Sequence, residues 1–144
     1  MYAIFSDGGS RGNPGRGACA FVIYEPSEPF IIKNSKILNP EIPTEILASG
    51  RLDMGICTNN QAEWQGVILG MENLIKINTT EKVQLLLDSE LVVKQLLGIY
   101  KVKNEGLKPY YLKAKKLLGL FKEVQISHIF REYNKEADRL YNQF

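Results

Sequence analysis

The short run of residues 83–87 places the strongest constraint on the fold of this chain. Four of its five residues are apolar, which is typical of a parallel strand that helices cover on both faces. In the segment before it, residues 60–77, apolar residues recur at three- and four-residue steps, and after it Ser89 can cap a helix that extends to Leu97. A strand that is joined to another through a helix normally returns parallel to it, so an α/β fold is predicted.

The remaining elements complete this sheet. Strand-like runs over residues 2–6, 18–24 and 30–38 are separated by short turns, which favours an antiparallel meander. Residues 52–57 could continue the sheet, and in segment 39–50 Thr44 is a possible cap for one helical turn. Residues 107–121, 124–130 and 134–141 fit a helix, a strand and a last helix. The predicted order is βββαβααβα.

Length and composition predict one domain over residues 1–144. The chain is 44% hydrophobic and 24% charged, which suffices for one core. Its net charge of +2 does not identify a polyanionic partner. Six lysines fall within residues 101–116 with a single acid, Glu105, and this run fits a solvated helix or phosphate contacts about equally well.

Cys19 and Cys57 lie in short apolar segments without a nearby Cys or His partner, and both are predicted to be buried thiols. The first residues lack an apolar signal core, and no stretch approaches the length that spans a bilayer. A cytoplasmic location without membrane association is therefore expected.

Four acidic residues lie where predicted elements begin or end: Asp7, Glu63, Asp88 and Asp138. If the strands that end at Asp7 and Asp88 are neighbours, these residues leave the same sheet edge about 5 Å apart. Glu63 shares a helix face with Val67 and would point inward. A carboxylate in apolar surroundings is costly unless it is paired or bound to a metal, so these acids predict a divalent-cation site.

Each acid also has a simpler explanation. Asp7 could start a turn, and Asp88 could stabilise the N-terminus of the following helix through its negative charge. Asn60 and Glu63 fit a capping box, which is the favoured explanation for Glu63 taken alone. Asp138 taken alone is better explained as a surface acid.

The glycine-rich segment DGGSRGNPGRG does not fit a nucleotide-binding loop. It has no GK[ST] ending and leads into a strand, whereas a phosphate-cradling loop opens a helix. Asn13, Pro14 and Gly15 fit a tight turn instead.

Five motifs together resemble type 1 ribonuclease H, in the right order and over nearly the whole chain. These motifs are DGGSRGNPG, TNNQAEW, DSELVVKQL, YKVKNEGLKP and REYNKEAD. The resemblance implies a ribonuclease H fold, an α/β fold whose five-stranded mixed sheet has three antiparallel strands followed by two parallel ones, flanked by helices. It also implies endonucleolytic hydrolysis of the RNA strand of an RNA–DNA hybrid, which leaves 5′-phosphate and 3′-hydroxyl ends.

The resemblance also implies a metal cofactor. The family's four metal-binding and catalytic carboxylates match Asp7, Glu63, Asp88 and Asp138. They would hold two Mg²⁺ ions about 4 Å apart, with Mn²⁺ as a substitute, and such a pair can clamp an in-line phosphoryl displacement. Asp7 would bridge both ions.

Substrate contacts follow from the same resemblance. It implies that Ser10, Asn13, Asn59 and Asn60 contact the strands of the hybrid and that Thr58 and Asn59 hold a DNA phosphate. Helix capping explains Thr58 and Asn59 equally well.

Three departures from the family pattern shape the expectations. The loop before the last acid is short, so Arg131 rather than His128 is expected to approach a phosphate. A basic protrusion is reduced to residues 100–108, so hybrid affinity should rest on the lysines of the next helix and depend on salt. Segment 39–50 is longer than the usual connection and could be a surface elaboration or a dimer contact, although a monomer is expected.

Two alternatives remain open. The first is a nuclease of the same fold that acts on double-stranded RNA. The second is an inert nucleic-acid-binding module, which predicts the loss of at least one metal carboxylate, whereas this sequence retains all four.

Overall fold

The computed structural model describes residues 1–77 and 80–144. Its strands are β1 (Tyr2–Arg11), β2 (Gly15–Pro26), β3 (Ile32–Lys33), β4 (Lys36–Ile37), β5 (Thr44–Cys57), β6 (Lys82–Leu87) and β7 (Glu123–His128). Its helices are α1 (Asn59–Lys76), α2 (Glu90–Leu96), α3 (Lys108–Leu118) and α4 (Lys135–Tyr141), with a 3₁₀ turn over Arg131–Tyr133.

The main sheet has five strands in the spatial order β5-β2-β1-β6-β7. The pairs β1–β2 and β2–β5 are antiparallel, and the pairs β1–β6 and β6–β7 are parallel. This arrangement confirms the predicted mixed sheet of three antiparallel strands followed by two parallel ones. The main-sheet strands and the helices follow one another in the predicted order βββαβααβα.

The third strand of this sheet is not the run 30–38; it is β5, which includes residues 52–57, as the sequence allowed, and begins earlier, at Thr44. Residues 30–38 form no main-sheet strand; β3 and β4 pair there as a small hairpin, with Asn34 and Ser35 at positive φ. The prediction of a helical turn capped by Thr44 was also wrong, because Thr44 begins β5. Along β5 most residues are exposed or half-buried, so pairing with β2 holds this strand without an alternating apolar pattern. Most of segment 39–50 is therefore sheet.

Helix α1 packs against the sheet through its small residues. A Cβ atom on Gly66 would lie 2.9 Å from the Asp7 carbonyl oxygen, and one on Gly70 would lie 2.6 Å from the Ile4 side chain. Only glycine allows this approach, as the spacing of the two glycines predicted. The helix begins with a capping box of Thr58 and Gln61, so the predicted box of Asn60 and Glu63 was wrong.

Two apolar clusters fill the two faces of the sheet. The larger lies under α1, α2 and α3, where buried Trp64 donates to Gln95 Oε1 at 3.3 Å. The smaller contains Phe5, Phe30 and Ile129 beneath the β3–β4 hairpin. Both cysteines are buried free thiols, as predicted.

Within residues 1–77 and 80–144, no helix has both the length and the apolar character needed to cross a membrane.

Candidate active site

Two of the four predicted acids lie where adjacent parallel strands separate. The last pair between β1 and β6 is Ser6 with Leu87, and Asp7 and Asp88 are the next residues on the two chains. This is the carboxyl edge of the parallel strands, where sites of α/β sheets form. Both side chains are enclosed, since Asp7 is 2% exposed and the Asp88 side chain 4%.

Glu63 reaches the same place from α1. The close approach of Gly66 to β1 fixes the first turns of the helix above this sheet edge. Asp7, Glu63 and Asp88 each offer a carboxylate oxygen, and these three oxygens all lie within 4.8 Å of one another. We call these three residues the carboxylate cluster. Since Gln61 completes the capping box, the Glu63 carboxylate is not used as a cap and remains available to the cluster.

Asp138 approaches the cluster from the face of the sheet opposite to α1. A Cβ on Gly9 would meet the Tyr141 ring of α4, so the α4 face is also the face of Asp7, because strand side chains alternate. Asp138 is close enough for its charge and a side-chain hydrogen bond to raise the pKa of Asp7. Asn142 Nδ2 donates to its Oδ1 at 3.2 Å. Asp138 lies outside the group of three oxygens within 4.8 Å.

The electrostatics of the cluster are those of crowded, buried acids. Burial, followed by the charge of Asp88, raises the pKa of Asp7 to about 8, although the Gly8 N–H bond to Oδ1 opposes this rise. Burial, followed by the Asp7 charge, raises the pKa of Glu63 well above its ordinary value. Burial also raises the pKa of Asp88, against the nearby guanidinium of Arg131.

The donor set fits a divalent cation. Asp7 Oδ2, Glu63 Oε2 and Asp88 Oδ2 are all buried and receive no hydrogen bond from the described residues. Unsatisfied buried carboxylate oxygens are costly, and hard cations such as Mg²⁺ prefer oxygen ligands. A cation at this position would satisfy the oxygens and offset the burial and the repulsion that raise their pKa values.

His128 and Arg131 approach Asp88 in different ways. His128 lies within the predicted strand 124–130 and is the last residue of β7. Its Nδ1 lies 2.7 Å from Ser35 Oγ and its Nε2 lies 3.3 Å from the backbone oxygen of Asp88. Arg131 Nε lies 3.9 Å from Asp88 Oδ2, and 79% of its side chain is exposed. The arginine is thus free to face a ligand, whereas both ring nitrogens of the histidine are engaged.

Sequence reasoning missed Asn134. This residue is 2% exposed, and its Nδ2 donates to the Ser6 carbonyl oxygen at 2.8 Å. A hydrogen bond from its side chain also lowers the pKa of Asp88. The available signal was its position in the REYN motif, four residues before Asp138.

The structure joins three of the predicted substrate-binding residues in one network. Asn59 Oδ1 accepts hydrogen bonds from Ser10 N at 2.8 Å and from Ser10 Oγ at 3.0 Å, and Asn59 N donates to Asn13 Oδ1 at 3.0 Å. These bonds tie the turn between β1 and β2 to the start of α1. Thr58 Oγ1 accepts from Gln61 N at 3.1 Å, which confirms the capping explanation for Thr58. Asn60, half-buried, follows in the first turn of α1.

Comparisons with known proteins agree with this architecture. The family model described as reverse transcriptase-like matches residues 5–143. A bifunctional protein of Mycobacterium tuberculosis is 34% identical over 139 residues, which are 96% of this chain and 34% of that protein. The ribonuclease HI of Halobacterium salinarum is 32% identical over 143 residues, which are 99% of this chain and 63% of that protein. The chain thus spans about a third of the mycobacterial relative.

Solved structures show the same fold. The N-terminal RNase H domain of the mycobacterial protein superposes with a TM-score of 0.81 at 34% identity, covering 98% of this chain and 90% of that one. The H. salinarum RNase H1 has a TM-score of 0.81 at 31% identity, covering 99% and 95%. LC11-RNase H1, solved in complex with an RNA/DNA hybrid, has a TM-score of 0.80 at 30% identity, also covering 99% and 95%. This chain therefore belongs to the reverse transcriptase-like family, among its ribonuclease H domains.

Proposed function

We propose that this chain is an endoribonuclease that hydrolyses the RNA strand of RNA–DNA hybrids and leaves 5′-phosphate and 3′-hydroxyl ends. The observation that carries the proposal is the carboxylate cluster, buried at the edge of the sheet in a ribonuclease H domain. LC11-RNase H1, of which the match covers 95%, has been solved with an RNA/DNA hybrid. This complex supports the choice of substrate.

The proposed cofactor is Mg²⁺, with Mn²⁺ as a substitute. Asp7, Glu63 and Asp88 would hold it, and Asp138 would complete the ligand set from α4. Bound divalent cations at such a site supply an activated water and neutralise charge on the phosphate. The buried, unpaired oxygens of three of these acids support the assignment.

The protein's own side chains would orient the reaction. Asn134 would help to hold Asp88 relative to β1, because its Nδ2 donates to the Ser6 carbonyl oxygen and its side chain lowers the pKa of Asp88. Arg131 is mostly exposed beside Asp88 and carries a fork of N–H donors that suits a phosphate. His128 supports the backbone of Asp88, which is a positioning role.

Substrate binding would use the network of Ser10, Asn13 and Asn59, together with Asn60 and the start of α1. Hydroxyl and amide groups both donate and accept hydrogen bonds, as the reading of 2′-hydroxyls requires. Lysines of α3 would add charge. Lys108 and Lys113 pair with Glu105 at 2.6 Å and with Glu72 at 3.3 Å, which leaves the net contribution to the other lysines of the 101–116 run.

The test is cleavage of an end-labelled RNA–DNA hybrid beside matched double-stranded RNA and double-stranded DNA, with Mg²⁺ or Mn²⁺. Asp88→Asn is the matched control, because it removes one charge while keeping the shape of the side chain. We expect metal-dependent cutting of the hybrid RNA alone, lost in the variant. Full activity of Asp88→Asn would refute the site, and cutting of double-stranded RNA instead of the hybrid would refute the substrate.

A further inference from the structure

Three arginines surround one aromatic ring on the face of the sheet that α4 covers. The guanidinium carbons of Arg11, Arg51 and Arg16 lie 4.4, 5.0 and 5.6 Å from the centroid of the Phe144 ring. We call Arg11, Arg16 and Arg51 the arginine cluster. None of its residues belongs to the carboxylate cluster or to the network of Ser10, Asn13 and Asn59.

Most of the charge of the arginine cluster is uncompensated. Arg51 is fixed within the protein, because its Nη1 pairs with Asp53 at 2.9 Å and its Nε donates to the Tyr141 carbonyl at 3.2 Å. Arg11 and Arg16 are exposed, and neither forms a salt bridge with an acid of residues 1–77 or 80–144. Two positive charges therefore face solvent at this position.

The position of these two charges is unfavourable for the fold alone. Arg11 and Arg16 are directly opposite each other on β1 and β2, and like charges at directly opposite positions destabilise an antiparallel pair. Contact with the face of Phe144 offsets part of this cost, since a cation is attracted to an aromatic face. Bound phosphates would offset more of it, because each would neutralise one of the guanidinium groups.

The arginine cluster is also close to the proposed reaction centre. Asp7, Ala20 and Arg51 are level with one another on β1, β2 and β5. A strand spacing of about 4.8 Å puts the backbone of Arg51 about 10 Å from that of Asp7, and Arg11, four residues beyond Asp7 on β1, lies about 13 Å along the strand. Because strand side chains alternate, Asp7 and Arg11 point to the same face of β1. A nucleic-acid strand with one phosphate at Asp7 has further phosphates within reach of these arginines.

From these contacts we infer that the arginine cluster binds two backbone phosphates of the hybrid away from the bond that is cut, with Phe144 as the surface that holds the guanidinium planes. Arginine suits this role because its N–H groups form a rigid fork that matches two phosphate oxygens. The inference rests on the proposed function, since it takes the hybrid as the ligand.

The test is the salt dependence of hybrid binding, measured by fluorescence anisotropy with Asp88→Asn present in every protein so that the hybrid stays intact. The double variant Arg11→Gln, Arg16→Gln should reduce the slope of log Kd against log salt by about two. At about 0.1 M salt it should also weaken binding about tenfold for each phosphate that is no longer neutralised. The control is Lys82→Gln, Lys122→Gln, which also removes two charges, here from lysines on the β6–β7 side of the sheet that pair with Glu123 and Glu81.

A slope equal to that of the lysine control would overturn the inference. If the double variant does not fold, Arg16→Gln alone replaces it in the test, and its expected reduction of the salt slope is about one. Phe144→Leu removes the ring and keeps the charges, so it should keep the slope. If the arginines only anchor Phe144, the arginine variants lower the Tm and leave the slope unchanged, which would also overturn it.

Two further measurements separate this inference from the proposed function. Cleavage by the unmodified protein tests the function alone, because the slope is measured without cleavage. Thermal unfolding with inorganic phosphate tests the other source of the same anion. If the cluster is a site for free phosphate, phosphate raises the Tm of the unmodified protein, and the arginine variants do not change the salt slope of hybrid binding. That result would overturn the assignment to nucleic acid.

Discussion

Replacing Asp7 by Asn should stabilise the metal-free protein. The pKa of Asp7 is raised from 3.8 to about 8 in the folded protein, so between these values the folded protein retains a proton that the unfolded chain has released. The free energy of unfolding therefore falls as pH rises from about 4 to about 8. Asn carries no charge and keeps an oxygen that can accept the Gly8 N–H bond at 2.8 Å, so this fall should diminish.

Burial is the largest cause of the raised pKa of Asp7 and repulsion by Asp88 is the second; the repulsive part of the magnitude follows from the separation of the acids. Two unit charges 4.8 Å apart, the largest separation within the carboxylate cluster, repel by about 3.5 kcal/mol at an effective dielectric constant of about 20 and by about 0.9 kcal/mol in bulk water. We expect a gain between these limits, about 2 kcal/mol at about pH 8. For a domain of this size the gain corresponds to a rise in Tm of roughly 4–8 °C.

The assay is thermal unfolding of both proteins in a chelating buffer over a series of pH values, followed by the same series with Mg²⁺. The gain should increase between about pH 4 and about pH 8 and then level off. Added Mg²⁺ should stabilise the unmodified protein more than the variant, which has lost a proposed ligand. Asp53→Asn makes the same chemical change at an exposed carboxylate and serves as the control. An unchanged or lower Tm for Asp7→Asn at about pH 8, or a gain independent of pH, would refute the reasoning.

Three further predictions address the surroundings of the site. Arg131→Gln should lower the rate of hybrid cleavage, whereas His128→Ala should retain most of it; the reverse order in a steady-state assay would show that the histidine acts in turnover. Thr58→Ala should cost about 1 kcal/mol in urea unfolding because it removes the helix cap, and Thr58→Ser should restore it; equal stability of all three proteins would contradict the capping role. Gly66→Ala places a Cβ 2.9 Å from a carbonyl oxygen of β1 and should cost about 1–3 kcal/mol and weaken cleavage, whereas Gly119→Ala, whose nearest contact would be 3.5 Å, should do neither.

The parts of the fold that follow periodic burial were predictable from sequence. The apolar run before Asp88 indicated a parallel strand, and a right-handed return placed its end beside Asp7. Helix α1 was predictable because its apolar spacing is regular and Gly66 and Gly70 lie on the same face. The two acids of the sheet edge therefore came from geometry, before any resemblance was considered.

Only the end of the third strand, residues 52–57, was indicated by the sequence, and its full extent could not be found in the same way. Edge strand β5 pairs with β2 through its backbone while most of its side chains are exposed or half-buried, so its sequence carries no strong alternation. The apolar residues of segment 30–38 belong instead to a hairpin that covers the other face, and Phe30 and Ile37 are buried there. Both segments contain apolar residues, and periodicity alone does not indicate which one pairs with the sheet.

The details of the site were harder to predict because they depend on competing hydrogen bonds. Thr58 and Gln61 form the capping box, although Asn60 and Glu63 have the same spacing two residues later. Which pair caps the helix depends on where the backbone turns, and here the burial of Glu63 beside Asp7 decides its role. Asn134 acts through tertiary bonds to Ser6 and Asp88, which no local pattern reports.

The position of β1 between two paired neighbours has a consequence for how the site opens. Asp7 lies on a strand that is hydrogen-bonded on both sides, whereas Asp138 lies on α4, a helix of seven residues with a single buried residue. Short helices with few buried contacts open locally at low free energy, while central strands open only with the whole domain. We therefore expect α4, which carries Asp138, to open locally more readily than β1, which carries Asp7, so that backbone amides exchange with solvent faster on the α4 side.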